Sequence, residues 1–266
     1  MLNLGLTAAF LALLGGSAPA GEGILIVEKT TTGTTIQTSQ VQIDGSRMRV
    51  DSVGAAGEKQ SIIFDGAKQV MWIVNLDKKT YSEMTKADVD RIGGQVAGAM
   101  AQMQEQLKNM PPEQRAMVEK MMQGRGGMPA MGAPPPEKTV YRPAGNDKAG
   151  KWACSKYEGY QNDKKTAEVC TVGPETLGFA VSDFDVTRQL GEFLGKLMPQ
   201  NAGRVFSVGK AEEQGFSGVP VRRMFSTGQG QTVVELTDAS RQSIPASTFD
   251  VPAGFQKEAF GGGQRR

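Results

Sequence analysis

Hydrophobic positions repeat with two different periods along this chain. From Gly23 to Met84, β-branched and aromatic residues fall in short alternating runs cut by turn residues, as an antiparallel meander requires. ILIVEKTTT opens it, TIQTSQVQIDGSRMRVDS supplies two strands around Asp44-Gly45, and KQSIIFDGAKQVMWIVNLDKKTYSEM supplies three more around Asp65-Gly66 and Asp77-Lys78. Asp-Gly favours tight hairpins because its backbone tolerates positive φ. In SRMRV, Met48 and Val50 alternate with Arg47 and Arg49, which predicts a half-buried strand rather than a basic binding stripe.

At Thr85 the period lengthens to about 3.6. ADVDRIGGQVAGAMAQMQEQLKNM predicts a helix running to Met110, with Met100, Met103, Leu107 and Met110 on one stripe. Pro111 and Pro112 end it, and PEQRAMVEKMMQG predicts a second helix with Met117, Val118, Met121 and Met122 before Gly124 stops it. The pair forms a helical hairpin over 86–123, followed by a Gly/Pro loop without period over 124–138. Further on, SDFDVTRQLGEFLGKLM places Leu190, Phe193, Leu194 and Leu197 on one helical face, with Ser182, Asp183 or Asp185 as caps. GVPVRRMFSTGQGQTVVELTDASRQSIPASTFDVPAGF returns to strands, and residues 261–266 read as a frayed tail. Nothing marks a second domain, so residues 21–260 are expected to form one.

The first twenty residues, MLNLGLTAAFLALLGGSAPA, have the length and apolar character of a signal peptide, and they close in Ala18-Pro19-Ala20, a small-x-small cleavage pattern. The stretch carries no Lys or Arg, a departure from the usual signal. It is too short to span a membrane, so the expectation is export, periplasmic or otherwise, and a soluble product. Thirty Lys and Arg against twenty-eight Asp and Glu give no global field to attract nucleic acid or an anionic membrane. The two cysteines fit an oxidising compartment. If SKYEGYQNDKKTAEV turns at Asn162-Asp163, Cys154 falls opposite Cys170, with Lys156 opposite Glu168 and Trp152 opposite Val172. That register predicts a disulfide stabilising the fold by roughly 3 kcal/mol, and the spacing is not that of a C-x-x-C redox motif.

GSRMRVD, IIFDGAKQVMWIVNLDKKTYSEM, MPPEQRAMVEKMM, the cysteine hairpin and IPASTFDVPAGF together resemble the uncharacterised bacterial domain family 4412, a domain of unknown function, across most of the chain after the signal peptide. Such proteins look like relatives of the periplasmic lipoprotein carriers (LolA/LolB-like). The resemblance implies an α+β fold that is mainly antiparallel β. It would be an unclosed barrel or strongly curved sheet, with the helical hairpin and a second helix on or in its concave face. It also implies an apolar cavity, and no catalytic signature.

The chain contains no histidine, which removes the commonest general base, every Ser-His-Asp or Cys-His arrangement and the usual zinc ligand. Asp88, Asp90 and Gly93 begin like a calcium loop, but Ala99 stands where a bidentate carboxylate is required. Asp183 and Asp185 read as caps, and the glycines of GRGGMPAMG lack the Gly-Lys-Ser/Thr ending of a phosphate loop. No cofactor is implied.

Met100 to Met131 holds eight of the fourteen methionines, and three readings of them stand. Thioethers fill irregular cores. Flexible thioethers at the mouth of a half-barrel also make a surface that repacks around acyl chains. Short spacings such as Met128 and Met131 also suit copper(I). The expected function is non-enzymatic binding or shielding of an apolar ligand, a lipid or lipoprotein acyl chain, by Met100, Met103, Leu107, Met110, Met117, Met121 and Trp72. Soft-metal binding through Met128 and Met131, or a ligand-free structural module of the envelope, are the alternatives. Cavity walls would come from Ile62, Phe64, Val70, Trp72, Val74, Val233 and Leu236, with the inward parity left open.

Overall fold

Six strands follow one another from Gly21: β1 (Gly21–Thr32), β2 (Thr35–Asp44), β3 (Arg47–Val53), β4 (Lys59–Asp65), β5 (Val70–Asn75) and β6 (Thr80–Thr85). Each pairs antiparallel with the next, as the period-two runs and turn residues predict. Helix α1 (Lys86–Lys108) leaves β6 directly. A second meander contains β7 (Val140–Ala149), β8 (Trp152–Gln161), β9 (Lys164–Val172), β10 (Val219–Thr227) and β11 (Gly230–Ile244), with helix α2 (Asp185–Gly195) between β9 and β10. A short β12 (Gln256–Glu258) closes the order. The computed structural model describes residues 21–54, 57–111, 114, 139–195, 197, 215–227 and 230–260. The expected signal peptide, second hairpin helix, Gly/Pro loop and tail lie outside these residues.

The two meanders join through β1 and β11, giving one sheet ordered β12-β6-β5-β4-β3-β2-β1-β11-β10-β9-β8-β7. The sheet does not close: β7 and β12 are its edges. Only β12 runs parallel to its neighbour, β6. The mainly antiparallel, unclosed α+β architecture is therefore as expected. Strand β7 was not foreseen, and it contains Pro143 and Gly145. They occupy an edge strand at a register shift between Pro143 and Asn146, where a missing N–H and a positive φ of 86° are tolerated.

The cysteine hairpin corrects the expected register. Asn162 and Asp163 do form its turn, with φ of 50° and 55°, and Gln161 pairs with Lys164. That pairing, continued without interruption, would put Cys154 and Cys170 on opposite faces, since a one-residue slip reverses every side chain. A bulge at Gly159/Tyr160, with Thr166 as the extra residue of β9, shifts the register so that Cys170 pairs with Lys156 and not with Cys154. Cys154, two residues before Lys156, then shares the face of Cys170. The disulfide forms diagonally, with Cα atoms 5.5 Å apart.

Candidate functional site

Register fixes which residues share a sheet face. Ile24, Ile43, Met48, Phe64, Met71 and Met84 are successive cross-strand partners from β1 to β6, and all six are buried in the main core. Helix α2 covers this row. Its Val186, Leu190 and Phe193 are buried, and the Phe193 ring lies 5.3 Å from that of Phe64. Phe184, at the end of the 3-10 turn Val181–Phe184 that precedes α2, is buried too. Asp183 caps this turn by accepting the Ala180 N–H at 2.7 Å, and it also pairs with Arg241. Of the three residues expected to cap this region, Asp183 makes the capping bond.

One step along the same face lies a second row: Ile26, Val41, Val50, Ile62, Ile73 and Ser82. Ile26 and Val41 are buried, Val50 and Ile73 are half-buried against the core, and Ile62 is 38% exposed. Cover thus thins along this row toward β4, leaving an apolar shelf of Val50, Ile62 and Ile73 on the helix-bearing face.

Helix α1 starts at the β6 end of the first row. Thr85 and Asp88 build a reciprocal cap: the Asp88 carboxylate accepts the Thr85 N–H at 3.1 Å, and the Asp88 N–H points to the Thr85 hydroxyl oxygen at 3.3 Å. The Thr85 hydroxyl and N–H, with Arg91, hold the Asp88 carboxyl down from 3.8 to about 2. Capping thus accounts for the aspartate that resembled a calcium ligand. Val89 is 2% exposed and joins the core. It is the one buried residue among the described side chains of α1: Ile92 and Val96 are half-buried, and Ala97, Gly98, Ala99, Ala101 and Gln102 are exposed.

The expected ligand-binding residues separate accordingly. Met100, Met103 and Leu107 lie on α1, and Met110 is half-buried just after it. Met117, Met121, Met128 and Met131 fall outside the described residues. Trp72 is on the other face of the sheet, because it pairs with Ile63 and Glu83. Its Nε1 donates to Glu83 at 3.0 Å, and it packs on a second cluster of Ile63, Val74, Ile244 and Phe249. The cavity wall drawn from the sequence therefore mixed two faces. Ile62 and Phe64 face the helices, whereas Val70, Trp72 and Val74 face away. Val233 and Leu236, three apart on one strand, also take opposite sides. The shelf residues Val50 and Ile73 were missed because period two reveals alternation but not which parity the helices cover.

The rear cluster gives the arginines of SRMRV their partners. Arg49 donates to Asp51 at 2.9 Å, to the Ser61 hydroxyl at 3.0 Å and to the Thr248 carbonyl at 3.0 Å. Arg47 lies 4.8 Å over the Phe249 ring. Both clamp the closing IPASTF segment to the sheet, consistent with a structural strand rather than a basic stripe.

Charges on β8, β9 and β10 form a self-satisfied network. Glu168 is bridged by Lys165 at 3.0 Å, Lys156 at 3.2 Å and Arg222 at 3.3 Å, and Arg222 also meets Asp147 at 2.6 Å. Burial pushes the Glu168 carboxyl up, but the two lysines prevail and hold it below its usual 4.5. An ionised, paired carboxylate is not a proton donor in waiting. Among the described residues no group of three or more His, Cys, Asp or Glu is arranged to hold a metal ion. Nor is any helix among them long and apolar enough to cross a membrane, a statement that does not extend to strands.

Comparison with solved structures gives distant likenesses. An uncharacterized conserved protein from Thermus thermophilus matches with TM-score 0.45 and 8% identity over 89% of this chain and 90% of that one. PNGF-II matches with TM-score 0.35 and 8% identity over 90% of this chain and 31% of PNGF-II. In the Pseudomonas aeruginosa MucA/MucB complex the figures are 0.35 and 11%, over 88% of this chain and 56% of that one. No curated protein matches. The first meander and the Met-rich helix, part of the wider resemblance, lie outside the residues that match a family. From within β7 to beyond the clamped C-terminal segment, residues 144–255 match the domain of unknown function DUF4412, the family that the sequence resembles.

Proposed function

We propose that this chain is an exported, non-enzymatic binding protein that shields an apolar ligand, a lipid or acyl chain, on the helix-bearing face of its open sheet. The observation that carries the reading is the shelf of Val50, Ile62 and Ile73, left with Ile62 38% exposed beside the buried row under α2. Exposed apolar surface next to a covered core is where a soluble protein receives an apolar partner. Helix α1 is the movable cover. It is anchored by its cap and by Val89, and its methionine stripe can repack around chains of different shape.

Acid–base chemistry finds no support in the groups present. The chain has no histidine; Lys165 holds the Glu158 carboxyl low, against its burial Lys165 and Lys156 hold that of Glu168 low, and the Lys148 backbone N–H, followed by Arg222, holds that of Asp147 low. Native mass spectrometry of the protein purified from its own exported fraction tests the proposal. Co-purified lipid, lost when Ile62 is replaced by Asp, is the expected result. Protein that is uniformly free of lipid, yet takes up copper(I) through Met128 and Met131, would replace this reading with the soft-metal alternative.

A further inference from the structure

A groove lies over β7, β8 and β9, and Cys154 of the disulfide is part of its lining. Asn146, Ser155 and Thr171 are successive cross-strand partners on β7, β8 and β9. They line a groove of about 630 Å³ together with Tyr157, Glu175 and Ser217. Ser155 and Thr171 adjoin Cys154 and Cys170, so the disulfide ties the two floor strands together. Tyr157 is the aromatic residue of the lining: its ring centroid is 6.1 Å from that of Phe216, whose ring is 5.0 Å from that of Tyr141, and its hydroxyl is 3.4 Å from that of Ser217. The loop that carries Ser217 is pressed against β9. Gly218 has φ of 92°, and a Cβ there would stand 2.5 Å from the Val172 carbonyl oxygen.

One group in this groove is anomalous. Thr171 is only 3% exposed, and its hydroxyl has no hydrogen-bond partner among the described residues. A buried hydroxyl left unpaired costs desolvation without return. Such exceptions call for an explanation, and an absent ligand is one. Its neighbours set the chemistry of that ligand. Hydroxyls and an amide donate and accept alike, the single carboxylate of Glu175 accepts, and no Lys or Arg lines the groove. An anion finds no counter-charge there, and an aliphatic chain would strand the hydroxyls without water. A neutral polyhydroxylated ligand satisfies both conditions, because its hydroxyls match the floor and its C–H faces match the tyrosine wall.

We infer that this groove binds a short neutral saccharide, held by Asn146, Ser155 and Thr171 against the Tyr157 ring. The site is separate from the apolar shelf, and either can exist without the other. The test is calorimetric titration of the full chain with three neutral tetrasaccharides: β1,4-glucose, α1,4-glucose and β1,4-N-acetylglucosamine. At least one should bind saturably with Kd below about 1 mM. Thr171→Val should weaken it about fivefold or more while leaving the melting midpoint unchanged or raised, and Thr171→Ser should restore it. Ser155→Ala, at an exposed position that the fold does not depend on, should weaken it as well. No saturable heat from any of the three overturns the inference. So does binding unaffected by Thr171→Val and Ser155→Ala, or binding of an unstructured peptide in place of all three.

Discussion

Helices α1 and α2 lie on the same sheet and are held in different ways. The 11-residue α2 buries Val186, Thr187, Leu190 and Phe193 along its length. The 23-residue α1 buries Val89 near its start and presents Ala97 to Ala99, Ala101 and Gln102 to solvent. Length therefore does not measure attachment. A helix gains most of its stability from the face it packs, so α2 is part of the core. Among the described side chains of α1, Val89 alone is buried in it, and as the proposed cover α1 is an arm fixed at that end. Elements that open come from the less stable parts of a structure.

The largest expected difference is between core and arm. Phe193→Ala, which removes the ring packed against Phe64, should cost about 3–5 kcal/mol in denaturant melts. Ala101→Pro, a change that costs about 3 kcal/mol in a rigidly held helix, should cost less than about 0.5 kcal/mol globally if α1 opens on its own beyond Val96. Equal losses would make α1 a core helix like α2. Next comes the disulfide: Cys154→Ala with Cys170→Ala should lose roughly 3 kcal/mol in the chain-entropy model. Hydrogen exchange should show the loss in β8, β9 and α2, with α1 unaffected. A smaller effect is local. Thr85→Ala removes the reciprocal cap and should weaken the first turn of α1 by about 1 kcal/mol, read as faster exchange in that turn. A matching fall in exchange protection of α2 would contradict the separation.

The least effect concerns pH. The Glu168 carboxyl is held below 4.5 in the folded chain, so the unfolded state takes up its proton first as acid is added. The network's contribution is full above the unfolded value and disappears as pH falls through the lower folded one. Glu168→Gln should flatten the acid limb of stability between neutrality and acid, without altering exchange in α1. An acid limb identical to that of the native chain would show that the lysines do not hold this carboxylate.

The meander from β1 to β6 and the apolar face of α2 were legible because hairpin residues and periods of two and 3.6 are local properties. The site was less legible, for the same reason. Trp72 has the composition of a cavity wall, but its face follows from its pairing with Ile63 and Glu83, and that pairing carries no sign saying where the helices lie. The cysteine pairing was foreseen while its register was not, because the Thr166 bulge depends on two strands at once. Arg47 and Arg49 looked structural from alternation alone, yet their partners, Thr248 and the Phe249 ring, come from about 200 residues further on, at the other end of the chain. Asn146, Ser155 and Thr171 have no sequence pattern; only the register of three strands collects them.

The central claim is that α1 covers an apolar ligand rather than completing a core, and the double variant Met103→Gln with Met110→Gln tests it most directly. Denaturant melts and displacement of a fluorescent fatty acid are measured on the same preparation. If α1 is a movable cover, the melts should change by less than about 0.5 kcal/mol, while fatty-acid affinity falls about tenfold or more, the equivalent of about 1.4 kcal/mol. Unchanged fatty-acid binding, together with a loss of about 1.5–3 kcal/mol for each fully buried side chain, would contradict it and leave the methionines as packing.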